Sequence, residues 1–153
     1  MGNASIRFTT SGGFDTKVSH PRGFLARWNV SAYDSLTLWA YAENIHGFQE
    51  GSPWVRLLND AANYAEYALY ENGDRRDPLN DAIGQWQRWA LPIAGSPDPD
   101  NGWRRTNVGS PDLSQVHSLE IHADTWDFGF TLWLDGVGFV PAQTAGVPAA
   151  TAS

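Results

Sequence analysis

Short runs of alternating apolar and polar positions dominate the chain. In LTLWAYAEN (36–44), Leu36, Leu38, Ala40 and Ala42 take one parity and Thr37, Trp39 and Tyr41 the other. FTLWLDGVGF (130–139) repeats the pattern, with Phe130, Leu132 and Leu134 set against Thr131, Trp133 and Asp135. Successive side chains of an extended strand point to opposite faces, so each run offers one apolar face to a core. The other face still carries large aromatic rings. Either a second core covers those rings, or something outside the protein does.

The remaining runs follow the same logic. SIRFTTS (5–11) reads as a strand followed by the turn Gly12-Gly13, and GFLARWNV (23–30) is a further candidate. PWVRLLND (53–60) and NYAEYALYE (63–71) predict a hairpin around Ala61-Ala62. QWQRWALPI (85–93) and HSLEIHAD (117–124) complete the set. ENGDRRDPLNDAIG (71–84) is a polar excursion with space for one helical turn near its end. GSPDPDNGWRRTNVGSPD (95–112) reads as a long loop of turn-forming residues. About eight strands and no sustained helical period predict an all-β protein, an antiparallel β-sandwich or jelly roll.

Length and composition narrow the partners. A chain of 153 residues is one domain, assigned here to 1–141, with a Pro/Ala/Thr-rich linker or tail over 142–153. It contains no cysteine, so neither disulfides nor thiolate chemistry is available. No apolar run approaches a membrane span. No signal peptide is visible, and Met1-Gly2 reads as a start from which an export signal has been removed. The formal net charge is −7. The doublets Arg75-Arg76 and Arg104-Arg105 are too few to make the basic face that nucleic acid requires. Neutral partners are favoured. Eight tryptophans, seven phenylalanines and five tyrosines exceed what a core of this size needs, and the excess suits flat apolar ligand faces.

Catalytic motifs are scarce. There is no nucleophile elbow, phosphate loop, dinucleotide fingerprint or His-Glu-x-x-His. His117 and His122 lie five apart and point to opposite faces of one strand, which disfavours a metal pair. Glu120 and His122 share a face and could serve acid–base chemistry, although a solvated strand face is the plainer reading.

Three stretches, in order, resemble carbohydrate-binding modules of β-jelly-roll fold. They are NVSAYDSLTLWAYAEN (29–44), WVRLLNDAANYAEYALYE (54–71) with QWQRWALPIAG (85–95), and LSQVHSLEIHADTWDFGFTLWLDGVGF (113–139). The type most similar is family eleven, whose members bind β-glucans in a concave groove beside glycoside hydrolases; galactose-binding-like sandwiches share much of the pattern. The resemblance implies a non-catalytic module of a secreted multidomain enzyme, monomeric itself, that holds a polysaccharide. It implies groove residues Trp39 and Tyr41 on one strand and Glu120 and His122 on another. Trp54 and Arg56 are a further same-face pair, and Asp60, Tyr64, Trp103 and Arg105 are carried over from the hairpin and the 95–112 loop. Trp133 falls to a calcium side or a convex face, and Trp28, Trp86 and Trp89 read as structural. The resemblance also implies a structural Ca²⁺ with Asp135 as ligand, in a family whose members begin with an acidic strand ahead of the point where this chain starts. A bulge or turn at Asp135-Gly136 is the simpler account, because calcium takes six to eight oxygens. Two other readings stay open: a jelly-roll lyase or glycosidase, and a structural or adhesion sandwich without a glycan site.

Overall fold

A computed structural model describes residues 4–12 and 14–142. The strands are β1 (Ile6–Thr10), β2 (Thr16–His20), β3 (Tyr33–Glu43), β4 (Gln49–Leu58), β5 (Tyr64–Glu71), β6 (Asp74–Arg75), β7 (Gln87–Pro92), β8 (Gly102–Val108), β9 (Ser118–Asp124) and β10 (Phe130–Pro141). One 3-10 turn, Pro78–Asn80, supplies the helical turn expected in the polar excursion. All named pairings are antiparallel. One sheet runs β1-β10-β3-β7, and the other β2-β9-β4-β5, with β6 and β8 both paired to β5. The all-β sandwich is therefore as expected. Among the described residues no helix is long and apolar enough to cross a membrane.

Alternation builds the core. Leu36, Leu38, Ala40 and Ala42 of β3 and Leu132 and Leu134 of β10 point inward from the first sheet. Val55 and Leu57 of β4, Ala65 and Tyr67 of β5, and Leu119 and Ile121 of β9 meet them from the second. Tyr67 is the largest side chain fully enclosed, and its hydroxyl donates to the Ile93 carbonyl at 2.8 Å. Along the β1–β2 edge the sheets leave an apolar gap of about 390 Å³, lined by Ile6, Val18, Trp28, Leu36, Leu134 and Phe139 among others.

Two local expectations need correction, and one strand was not expected at all. GFLARWNV is not a strand: Trp28 makes only an isolated bridge to Val116, and Leu25 is exposed. The 95–112 segment is not all loop, since Gly102–Val108 is β8 on the edge of β5. TKVSH forms β2, although Val18 is its only apolar residue. Most of the 142–153 tail lies outside the described residues.

Two bulges shape the strands. β10 gains one residue against β3 between Asp135 and Gly138, with Gly136 at φ 56°. β4 gains three against β9 between Gln49 and Trp54. There Glu50 and Gly51 sit at φ 59° and 80°, and Asp77 Oδ1 accepts from the Gly51 and Ser52 N–H groups at 2.7 and 3.0 Å. A Cβ on Gly51 would collide with the Arg75 side chain, so glycine there lets Arg75 lie across the bulge.

Candidate functional site

The outer face of the second sheet carries the richest chemistry. Where β4, β5 and β6 meet the β1–β2 and β9–β10 loops, a cleft of about 420 Å³ opens. Its walls include Arg56, Glu66, Arg75 and Asp124, and its rim carries Phe14 and Trp126. Phe14 is 65% exposed and Trp126 68%. Phe14 and Asp15 sit in one turn and Trp126 in another, TWDF, and the two segments pack side by side: a Cβ on Gly12 would meet Asp127, and one on Gly129 would meet the Thr10 carbonyl. The rings are thus held on a closely packed pair of turns.

Glu66 fixes both arginines. Arg56 Nε donates to Glu66 Oε2 at 2.8 Å, and Arg75 lies 3.6 Å from Oε1. Each guanidinium also covers a ring, Arg56 over Tyr64 at 4.7 Å and Arg75 over Trp54 at 5.3 Å. A guanidinium has five donors in a plane, so edges remain to bond a ligand. Asp124 is held by Gln49 Nε2 (2.8 Å) and by the Asp15 N–H (3.2 Å). The cleft therefore sets fixed donors and acceptors beside open rings.

Beneath it runs a chain of polar side chains, buried at Glu120 and His122 and reaching solvent at Asp15 and Lys17. His122, 1% exposed, has Nδ1 2.6 Å from Asp15 Oδ1 and Nε2 3.0 Å from Glu120 Oε2. Lys17 Nζ donates to Glu120 Oε1 at 2.8 Å and Ser19 Oγ to the same oxygen at 3.2 Å. Burial pushes the Glu120 carboxyl up, but the hydrogen bonds and charges of Lys17 and His122 outweigh it and hold it below its ordinary range. Trp54 stacks on His122 at 5.0 Å between centroids and is itself 6% exposed. Glu120 and His122 share a face as expected, and they also bond to each other. They form a floor under Trp54 and do not line the cleft.

The expected groove residues do not form one groove: most divide between two opposite surfaces, and the rest lie in the core or in a turn. Trp54, Arg56, Tyr64, Glu120 and His122 share the outer face of the second sheet. Trp39 and Tyr41 do not join them: β3 lies in the first sheet, where their outward neighbours are Trp133 and Asp135 of β10 and Arg88 of β7. Parity fixes which side of a strand faces out but leaves open which sheet takes the strand. Trp103 is 6% exposed and packs edge-on to Trp89 in the core, because β8 turns it inward opposite Leu69. Arg105 shares that parity and donates to Asn107 Oδ1 at 2.9 Å and the Ile93 carbonyl at 3.4 Å. Asp60 is exposed and caps its own turn through the Ala62 and Asn63 N–H groups at 2.7 and 2.9 Å. The hydrogen bond from the Asn63 side chain, followed by those backbone bonds, lowers its pKa.

Asp135 sits at the β10 bulge. Its Oδ1 accepts from the next N–H, Gly136, at 2.6 Å, and its cross-strand neighbour is Trp39. Among the described residues no group of three or more His, Asp or Glu is placed to hold a metal. The bulge reading accounts for Asp135-Gly136.

Phe14, Glu66, Arg75, Asp124 and Trp126 escaped the sequence reading. A signal was present for the two rings: a large aromatic followed by Asp and flanked within a few residues by Gly, as in GFD and TWDFG, has no strand face to bury it. No signal joined Arg75 to Arg56, because the β4 bulge that brings them together depends on tertiary contacts. No protein-family model matches this chain, and neither any curated protein nor any solved structure matches it.

Proposed function

We propose that the chain is a non-catalytic carbohydrate-binding domain that holds a neutral polysaccharide in the cleft of the second sheet. The observation that carries this reading is the pairing of two exposed rings, Phe14 and Trp126, with arginines and carboxylates fixed by mutual contacts. A sugar ring has an apolar C–H face and a fringe of hydroxyls. An open aromatic ring suits the first, and fixed charged side chains suit the second. The resemblance to β-jelly-roll modules supports the same class of ligand. In a secreted enzyme such a domain raises the local concentration of substrate around an attached catalytic unit.

Affinity electrophoresis against soluble β-glucans, xylans, mannans and galactans tests the reading. Retardation by at least one neutral polysaccharide is expected, weakened by Trp126→Ala. Free migration through every gel would overturn it. Release of new reducing ends or unsaturated products would replace it with the enzyme reading.

A further inference from the structure

The first sheet presents an outer surface of its own, facing away from the cleft. Residues paired across β1, β10 and β3 set Arg7, Trp133 and Tyr41 in one row. Trp86 extends the row: Tyr41 lies 5.4 Å from Trp133 and 5.8 Å from Trp86, between ring centroids. Arg7 sits over Trp133 at 5.5 Å. The next row is Asp135, Trp39 and Arg88, and the row on the other side is Thr9, Thr131 and Glu43. Beside that last row lies a depression of about 300 Å³ lined by Thr9, Glu43, Asn44, Ile45 and Thr131 among others. All four large rings are only half buried.

The charges here differ from those of the cleft. Around the cleft, Arg56, Arg75 and Lys17 are all committed to glutamates. On the first sheet, Arg7, Arg88 and Glu43 have no ion-pair partner among the described residues. Free donors and acceptors of both signs therefore flank a row of rings, next to a depression with threonine hydroxyls in its wall. An apolar partner surface would leave those charges desolvated and unpaired, which is costly. A polyanion would gain from the arginines but meet Glu43 and Asp135. A hydroxyl-rich, uncharged ligand with apolar faces satisfies both the rings and the charges.

We infer that the outer face of the first sheet is a second glycan-binding site, taking a neutral polysaccharide along the Trp133–Tyr41–Trp86 row, with Arg7, Glu43 and Thr131 bonding its hydroxyls. The inference rests on the proposed function for its class of ligand and adds that the domain is bivalent. The two sites lie on opposite sides of the sandwich, so one domain engages two chains.

The test uses the intact chain and whichever polysaccharide of the panel retards it. Titration with an oligosaccharide of that polysaccharide should give two sites per chain. Trp133→Ala should reduce this to one while leaving retardation by the polymer measurable, and Trp126→Ala should do the same from the other side. Arg7→Ala and Glu43→Gln, both at exposed positions, should weaken the second site about tenfold with the melting temperature unchanged. Mixing the domain with the polymer should raise viscosity through cross-linking, and either tryptophan variant should abolish the rise. One site per chain, with binding lost in Trp126→Ala and unaffected by Arg7→Ala and Glu43→Gln, overturns the second site and leaves the cleft. Failure of every polysaccharide to retard the wild type overturns both.

Discussion

Trp54 and Trp126 line the same cleft and should respond oppositely to truncation. Trp126 is open to solvent before any ligand arrives, so Trp126→Ala should weaken glycan binding by about 1–3 kcal/mol and barely alter folding. Trp54 is pressed between His122 and Arg75, so Trp54→Ala should cost roughly 3–5 kcal/mol of stability. Urea titration and affinity electrophoresis on both variants separate the two effects; a destabilised Trp126→Ala would mean that the ring is a packing residue. Glu120 makes a pH prediction. Its folded pKa is depressed, so its contribution is present above the unfolded value and is lost as pH falls through the folded one. Wild type should lose stability on acidification in that window, and Glu120→Gln should be less stable at neutral pH with a flatter acid limb. At the other extreme, burial pushes the Tyr67 hydroxyl up from 10.0 to about 12, against the opposing pull of Arg105. A raised pKa contributes stability that is complete below the unfolded value and disappears through the folded one, about 2–3 kcal/mol here. Denaturation midpoints should therefore fall as pH rises from about 10 towards 12, and Tyr67→Phe should remove most of that slope.

At the scale of the element, the β4 bulge places Arg75. Gly51→Ala should push that side chain away from Trp54 and Glu66 and strain a backbone at φ 80°. A loss of about 1–3 kcal/mol in stability is expected, together with weaker binding in the cleft. A Gly51→Ala variant with unchanged binding would remove Arg75 from the site. The β10 bulge carries the opposite expectation for metal: because Asp135 bonds its own neighbour, chelator should leave the melting curve where it was, and a lowered melting temperature would reveal a bound cation. These elements also show what a reader of sequence can reach. Alternation in β3, β9 and β10 gave their inward faces correctly, because period-two burial depends only on the strand itself. It could not place β3 and β9 in different sheets, which is why Trp39 was grouped with His122. β2 was invisible because TKVSH is an edge strand held on one side only, with a single apolar residue. β8 was hidden by its surroundings, since Pro, Asp and Asn crowd the preceding segment and mask WRRTNV.

At the scale of the molecule, the outer faces of the two sheets point apart, and the net charge of −7 surrounds both. A neutral ligand feels little of that field, so retardation by the bound polysaccharide should hold steady between low and high salt, whereas an anionic one would respond strongly. A steep salt dependence would point to a charged glycan. The overall architecture was legible because some eight alternating segments without helical period leave few alternatives. The cleft was legible only in part, because its rim comes from two turns whose proximity no local pattern encodes. The gap between the sheets along the β1–β2 edge has a mechanical consequence. Its walls are largely apolar, and although it opens to solvent past Ile6 and Val137, water packs poorly against such walls, so the folded domain carries some volume that the unfolded chain does not. Hydrostatic pressure acts on that difference and favours the smaller state. The domain should be soft to compression, with an unfolding volume change towards the large end of roughly −20 to −100 mL/mol. Val18→Leu, which adds a methylene at the gap, should move the pressure midpoint upward by fluorescence even where it leaves the thermal midpoint in place. An unchanged pressure midpoint in that variant would mean that the gap collapses without help.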